Sequence, residues 1–278
     1  MKNPVFASTK DFDINVAESN GSMQRQHYHD TYEFYLVLEG SKTLLTDDSR
    51  YLLTKGSLAV IEPFMLHMTT AAAGGHCRRY ITELSPKALS PLLSETERDE
   101  LFDGISTCVL SLDEEELRFV CGLFKDAHRY KNIKGPLAGK LTVMVLTYLS
   151  DFIRRRSRHG VKQGLKAESR KAEEPVMEAL RYINLNYTSP ISLERVCGIA
   201  HMSRSNFCLA FKKAVGDTFV SYVNTLRVAQ AHRLLMTTDL SLSEIAERAG
   251  FSSADYFTRV FKSIHGIAPA KLRREGRR

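Results

Sequence analysis

The chain has no paired cysteines. Its five, Cys77, Cys108, Cys121, Cys197 and Cys208, are odd in number and never form a Cys-x-x-Cys pair. A disulfide framework and a cysteine zinc site are therefore not expected, and reduced thiols in a cytoplasm fit best. A long hydrophobic run is missing too. The longest, LTVMVLTYL at 141–149, falls well short of a bilayer crossing and carries threonines. The first residues, MKNPVFASTKDFDIN, have no apolar core, so neither a secretory leader nor a membrane partner is expected. What is present is ordinary: 43% hydrophobic and 26% charged residues, with no bias toward disorder, in 278 residues that give room for two domains.

The net charge of +7 is unevenly spread. Residues 175–278 hold 15 Lys+Arg against 8 Asp+Glu, residues 152–174 hold 8 against 3, and residues 1–151 hold 16 against 21. A basic end behind an acidic first half points to a polyanionic partner for the C-terminal part, or at the least to an unevenly charged solvated surface.

Patterning changes twice along the chain. EFYLVLEG, KTLLT, RYLLTKG and SLAVIEP are short runs of branched and aromatic residues broken by Gly, Asp and Pro, which predicts strands of a sandwich or barrel. From about Ser85 the apolar spacing turns helical, through SPKALSPLLSETERDELF, DEEELRFVCGLFKDAHRY and PLAGKLTVMVLTYLSDFIRRR. The next stretch is polar and basic. These shifts divide the chain into 1–158, a linker at 159–174, and 175–278. The expected class is α+β.

The last part repeats itself. LERVCGIAHMSRSNFCLAFKKAVG resembles LSEIAERAGFSSADYFTRVFKSIHG, with Leu193, Val196, Ala200, Phe207, Phe211 and Gly216 matching Leu242, Ile245, Ala249, Phe257, Phe261 and Gly266. Each copy is a short amphipathic helix, a tight turn and a second helix begun by serine. In the second turn Gly250 is free to take positive φ, Phe251 plugs the core and Ser252 can cap the next helix. This layout predicts two helix-turn-helix units, against the plainer reading of two helical hairpins. With Phe207, Ala210, Phe211 and Ala214 inward, Ser205, Cys208, Leu209 and Lys212 face out, with Arg204 at the flank. With Phe257, Val260, Phe261 and Ile264 inward, Asp255, Thr258, Arg259 and Lys262 face out, with Ala254 at the flank. Such a face fits the major groove of double-stranded DNA. Arg259 is suited to a two-pronged contact with guanine, while Lys212, Lys213 and Lys262 suit phosphates.

The stretch YVNTLRVAQAHRLLMTTDLSLSEIAERAGFSSADYFTRVFKSIHGIAPAKLR, with its Gly-Phe turn, Tyr-Phe…Phe-Lys helix and Gly-x-x-Pro exit, resembles the DNA-binding domain of AraC/XylS-type transcription regulators. The resemblance covers 175–278. It implies a central helix at about 218–237 bridging two units, and groove-facing positions at Ser205, Cys208, Leu209, Ala254, Asp255, Thr258 and Arg259. It also implies a homodimer, contact with RNA polymerase, and activation rather than repression. His201 stands where many relatives place the turn glycine, which leaves the first turn's geometry open.

The N-terminal half resembles the cupin-like sensor barrel of such regulators. GSMQRQHYHDTYEFYLVLEG fits Gly-x5-His-x-His-x3-Glu-x6-Gly, and GSLAVIEPFMLHM supplies Pro63 and His67 without the middle glycine or final asparagine of metal cupins. In a strand, His27 and His29 share a face and Glu33 keeps that parity, with His67 approaching from a facing strand. The set His27, His29, Glu33 and His67 suits Zn, Ni, Mn or Fe as a divalent metal. It equally suits a small-molecule effector, with Tyr35 and Val37 as pocket walls and Phe34, Leu36 and Leu38 packing outside. On the helices at 113–158, Leu117, Val120, Cys121 and Phe124 form one stripe and Leu141, Val145, Tyr148, Leu149 and Phe152 another. These either meet a second protomer or cover the barrel. The reading is a ligand-responsive transcription regulator and not an enzyme. The alternatives are a metal-dependent cupin enzyme, a dioxygenase or isomerase, with an appended helical domain, and a regulator whose barrel only dimerises.

Overall fold

The computed structural model describes residues 6, 12–23, 25–46, 49–72, 75–131, 136–158 and 174–276. The expected linker at 159–174 lies outside the described residues except for Glu174, which opens a helix.

Among the described residues, seven strands build the first half: β1 (Phe12–Ser19), β2 (Tyr32–Leu45), β3 (Arg50–Thr54), β4 (Ser57–Ile61), β5 (Met68–Ala71), β6 (Cys77–Leu84) and β7 (Cys108–Ser111). The central strand is β2. Its first part pairs antiparallel with β6 and β4, and its last residues, from Ser41 on, pair with β3 and β5. A bulge between Val37 and Glu39 and a positive φ of 75° at Gly40 bend it between these pairings. A side chain at Gly40 would collide with the His76 carbonyl, so the bend needs glycine there. Alternation along β2 separates two cores. Tyr35 and Val37 point inward with Leu44, Leu53, Ala59, Ile61 and Cys77, while Phe34 and Leu36 pack outward under helices. This is the parity that the sequence implies.

Four strands escape the pattern of aromatic and branched runs. FDINVAES, MTTA and CRRYITEL (β1, β5 and β6) carry too many polar residues to stand out, and CVLS (β7) lies within the region expected to be helical. β7 forms because β4 has an open side, and it pairs there from Ser57↔Ser111 to Val60↔Cys108. Three helices cover the sheet: α1 (Glu95–Phe102), α2 (Glu114–Lys131) and α3 (Pro136–Arg158). Val120, Phe124, Leu146, Leu149 and Ile153 are buried against Phe34, Leu36 and Leu58. Most of the two apolar stripes therefore cover the barrel. Tyr148, from the second stripe, stays exposed beside Phe119 and Met144.

The second half is all helix: α4 (Glu174–Asn186), α5 (Leu193–Ile199), α6 (Arg204–Val215), α7 (Phe219–Thr237), α8 (Leu242–Arg248), α9 (Ala254–His265) and α10 (Pro269–Gly276). Its core is built on Phe207, Phe211, Phe257 and Phe261 around α7, and Tyr28, Leu45, Leu66 and Met68 of the barrel belong to the same cluster. Among the described residues, no helix is long and apolar enough to cross a membrane.

Candidate DNA-reading face and effector site

The two units are built alike. In the first, α5 ends in a turn where Met202 N–H donates to the Cys197 carbonyl (3.0 Å). In the second, α8 ends where Phe251 N–H donates to the Ala246 carbonyl (2.8 Å). Gly250 sits at φ 86°, and a Cβ there would stand 2.7 Å from the Thr188 backbone. His201 takes the same left-handed region at φ 50°. The first turn therefore has the geometry of the second, held with a non-glycine residue at a modest local cost. Ser203 caps α6. In the second unit the cap is Ser253 and not Ser252, its hydroxyl accepting from Tyr256 N–H at 3.1 Å, and Ser252 is exposed in the turn.

α6 and α9 each turn their phenylalanines inward and leave an outer face exposed. Arg204, Ser205, Cys208, Leu209 and Lys212 on α6, and Asp255, Arg259 and Lys262 on α9, are exposed, while Ala254 and Thr258 are half-buried. Leu209, an apolar side chain, is 73% exposed. Lys213 is exposed too. Sequence reasoning missed Tyr256. The Arg259 guanidinium lies 5.3 Å from its ring centroid, and its hydroxyl accepts from Asn224 Nδ2 at 2.9 Å, so α7 steadies the platform under that arginine. The spacing of three residues on a helix was the signal available.

In the barrel, His27 and His67 face each other across an antiparallel bridge, each N–H donating to the other's carbonyl at 2.9 Å. His29 and Glu33 complete a group whose ligand atoms all lie within 4.8 Å of one another. His29 Nδ1 is 2.7 Å from the Thr31 carbonyl and His67 Nδ1 is 2.9 Å from the Met65 carbonyl. A carbonyl only accepts, so both Nδ1 atoms carry the proton and both Nε2 atoms turn toward Glu33. His29 Nε2 is 3.1 Å from Glu33 Oε2, and His67 Nε2 is 3.5 Å away, outside normal hydrogen-bond range. Burial pushes the Glu33 carboxyl up, but the His29 hydrogen bond and the charge of His29 and His67 outweigh it and hold the group well below the usual carboxylate range. Burial pulls His29 down, and the Glu33 hydrogen bond and charge reverse this to a net rise. His27 is lowered to about 3 by burial and by the charge of His67, and its buried Nδ1 has no hydrogen-bond partner. Tyr35 lies below Glu33 on β2 with its ring under Arg79, 5.2 Å from the guanidinium carbon.

The sequence family described as AraC-like ligand binding domain matches residues 16–130, and the helix-turn-helix domain family matches residues 196–275. The chain is 22% identical over 255 residues to the HTH-type transcriptional regulator YdeC of Bacillus subtilis, covering 89% of this chain and 85% of that one. It is 35% identical over 98 residues to the regulatory protein PocR of Salmonella typhimurium, spanning about a third of PocR's length. Among solved structures, the DNA-binding domain of AdpA in complex with a target DNA is 32% identical, covering 37% of this chain and 93% of that one, with a TM-score of 0.36. A ligand-binding sheet domain joined to a helix-turn-helix domain defines a ligand-responsive, DNA-binding transcription regulator. The chain belongs to the AraC/XylS family of these regulators.

Proposed function

We propose that α6 and α9 enter successive major grooves of double-stranded DNA, and that an effector held by His27, His29, Glu33, Tyr35 and His67 changes how they sit there. The observation that carries this reading is the duplicate: two serine-capped helices after equivalent turns, both exposing polar and basic faces. Arg259 reads a guanine edge. Ser205, Cys208, Leu209, Ala254, Asp255 and Thr258 meet bases and sugars, and Arg204, Lys212 and Lys262 meet phosphates. Groove visits one helical turn apart, about 34 Å, fit one protomer on roughly two turns of duplex. Selection of bound duplexes from a random pool, followed by footprinting, tests this. Enriched sites protected over two adjacent turns are expected, and recovery of no sequence above background would refute it.

The finer reading is a cytoplasmic activator that contacts RNA polymerase, dimerises and performs no turnover. Residues 1–158 act as the sensing and dimerising part and 175–278 as the DNA-binding part. The exposed trio Phe119, Met144 and Tyr148, with Phe152 packed 5.7 Å from Phe119, supports a contact between protomers on the outer face of α2 and α3.

A further inference from the structure

The site described above has the chemistry of an ion cradle. Three imidazoles from the bridged segments just before β2 and β5 converge with one carboxylate on β2, and two of the imidazoles have their outer nitrogen pinned to a backbone carbonyl. That pinning orients a metal-binding histidine, and a metal arriving at the inner nitrogen of His29 would displace the proton now shared with Glu33. A cation with ligand bonds of about 2.0–2.2 Å sets tetrahedral ligands about 3.3–3.6 Å apart and opposed ones up to about 4.4 Å, so the farthest atoms here, within 4.8 Å, would close by about 0.4 Å for an opposed pair and by just over an ångström for a tetrahedral one. The surroundings favour something small. Val37, Leu53, Ala59, Ile61 and Cys77, which fill the barrel interior, are each 0% exposed to a water-sized sphere, and Tyr35 is 2% exposed. A sugar-sized guest would have to displace that packing, whereas an ion would not.

The bridged segments that carry the histidines also face the other half of the molecule. Because successive strand residues point opposite ways, Tyr28 lies between His27 and His29 but faces outward, as do Leu66 and Met68 on either side of His67. All three join the core of the helical half. The Tyr28 hydroxyl is 2.7 Å from Nε2 of His265, the last residue of α9. Phe64, held at a positive φ of 67°, donates its N–H to the His29 carbonyl at 2.8 Å and lays its ring against His232 of α7, 5.0 Å between centroids. The segments that carry the histidines thus touch the last residue of α9 and the side of α7 directly.

We propose, resting on the regulator reading above, that His27, His29, Glu33 and His67 bind one divalent ion of the zinc or nickel kind, that this ion is the effector, and that Tyr28 and His265 pass its arrival to α9. Imidazole-rich sites with a single carboxylate suit these metals.

The test uses the full chain stripped of metal with a chelator and titrated with Co²⁺, then with Zn²⁺ and Ni²⁺ in competition. DNA affinity is measured in parallel on duplexes selected by the metal-free and metal-loaded protein. Saturation at one ion per chain is expected, with visible Co²⁺ absorption that the His27→Ala/His67→Ala variant loses while its circular dichroism stays intact. The ion should change DNA affinity by about tenfold. Tyr28→Phe keeps the ring and removes the hydroxyl that meets His265. It should bind Co²⁺ as the parent does, yet lose most of the affinity change, which separates the relay from the site even if the histidine variant does not fold. Three results would overturn the proposal: no saturation by about 100 µM Co²⁺, far weaker than ordinary transition-metal sites; unaltered Co²⁺ spectra in the folded histidine variant; or equal DNA affinity with and without the ion. In each of these the parent still binds selected DNA, and the regulator reading survives. Recovery of no DNA would sink the regulator reading and the effector role together, while the titration alone would still decide the site.

Discussion

At the scale of single residues, two positions on the DNA-binding half are open to sharp tests. Arg259 is exposed, steadied by Tyr256 and free to reach a base edge. Arg259→Ala should lose about 1–3 kcal/mol of discrimination, roughly 5- to 150-fold, and relax preference at one base pair, read by fluorescence anisotropy on single-substituted duplexes. Tyr256→Leu should reproduce part of that loss while leaving salt dependence unchanged. Gly250→Ala places a methyl 2.7 Å from the Thr188 backbone at a φ of 86°, so strain and collision add. A loss above about 1 kcal/mol in chemical denaturation is expected. The outward set on α6 and α9 was legible from helical periodicity, because the inward phenylalanines fix the phase of each helix. Tyr28 was not. Its parity was readable, but the surface it would meet lies 237 residues away in sequence.

At the scale of elements, the helices over the sheet show how one apolar pattern can fit two neighbours until packing chooses between them. The stripe through Val120 and Phe124 is apolar because it lies on Phe34 and Leu36, so amphipathicity alone could not choose between barrel and partner. The free face joins Tyr148 of the second stripe to Met144, each 55% exposed. Met144→Asp/Tyr148→Asp should therefore leave the fold intact and convert a dimer to a monomer in light scattering at micromolar concentration. A dimer that persists would place the contact elsewhere. Strands β1, β5, β6 and β7 were missed because edge and half-exposed strands need few apolar residues, and it is pairing, of β5 and β6 with β2, of β7 with β4 and of β1 with β6, that makes them strands.

At the scale of the whole molecule, two properties follow from the joining of the halves. The first concerns acid. His232 is 1% exposed, and burial first, with the nearby His265 second, lowers it to about 3, while burial takes His265 to about 4. Around His232 stand Phe6, Phe64, Phe261 and His265. Unfolded, these histidines titrate near 6.5, so below that pH the unfolded chain binds protons that the folded chain refuses. Stability from this pair is complete above about pH 6.5 and declines as pH falls toward 4, by up to about 1.4 kcal/mol per pH unit for His232. Thermal melting from pH 7.5 to 4.5 should show this fall, and His232→Phe should flatten it. The second property concerns salt. Residues 175–278 carry 15 basic against 8 acidic side chains, so affinity for selected DNA should drop steeply between 50 and 200 mM salt, by about 10³-fold if six phosphates are neutralised. What the sequence by itself determined is what periodicity and repetition encode: an α+β chain, two copies of a capped helix pair with their outward faces, and histidines and a glutamate of one parity. Those are local facts, set by residues within a few turns or along one strand. Only the tertiary structure decided that His67 closes on His27, that Val37, Leu53, Ile61 and Cys77 bury one another inside the barrel, and that Tyr28 rests on α9. Each of these depends on which distant surfaces meet, and that is chosen by the burial of whole faces against one another.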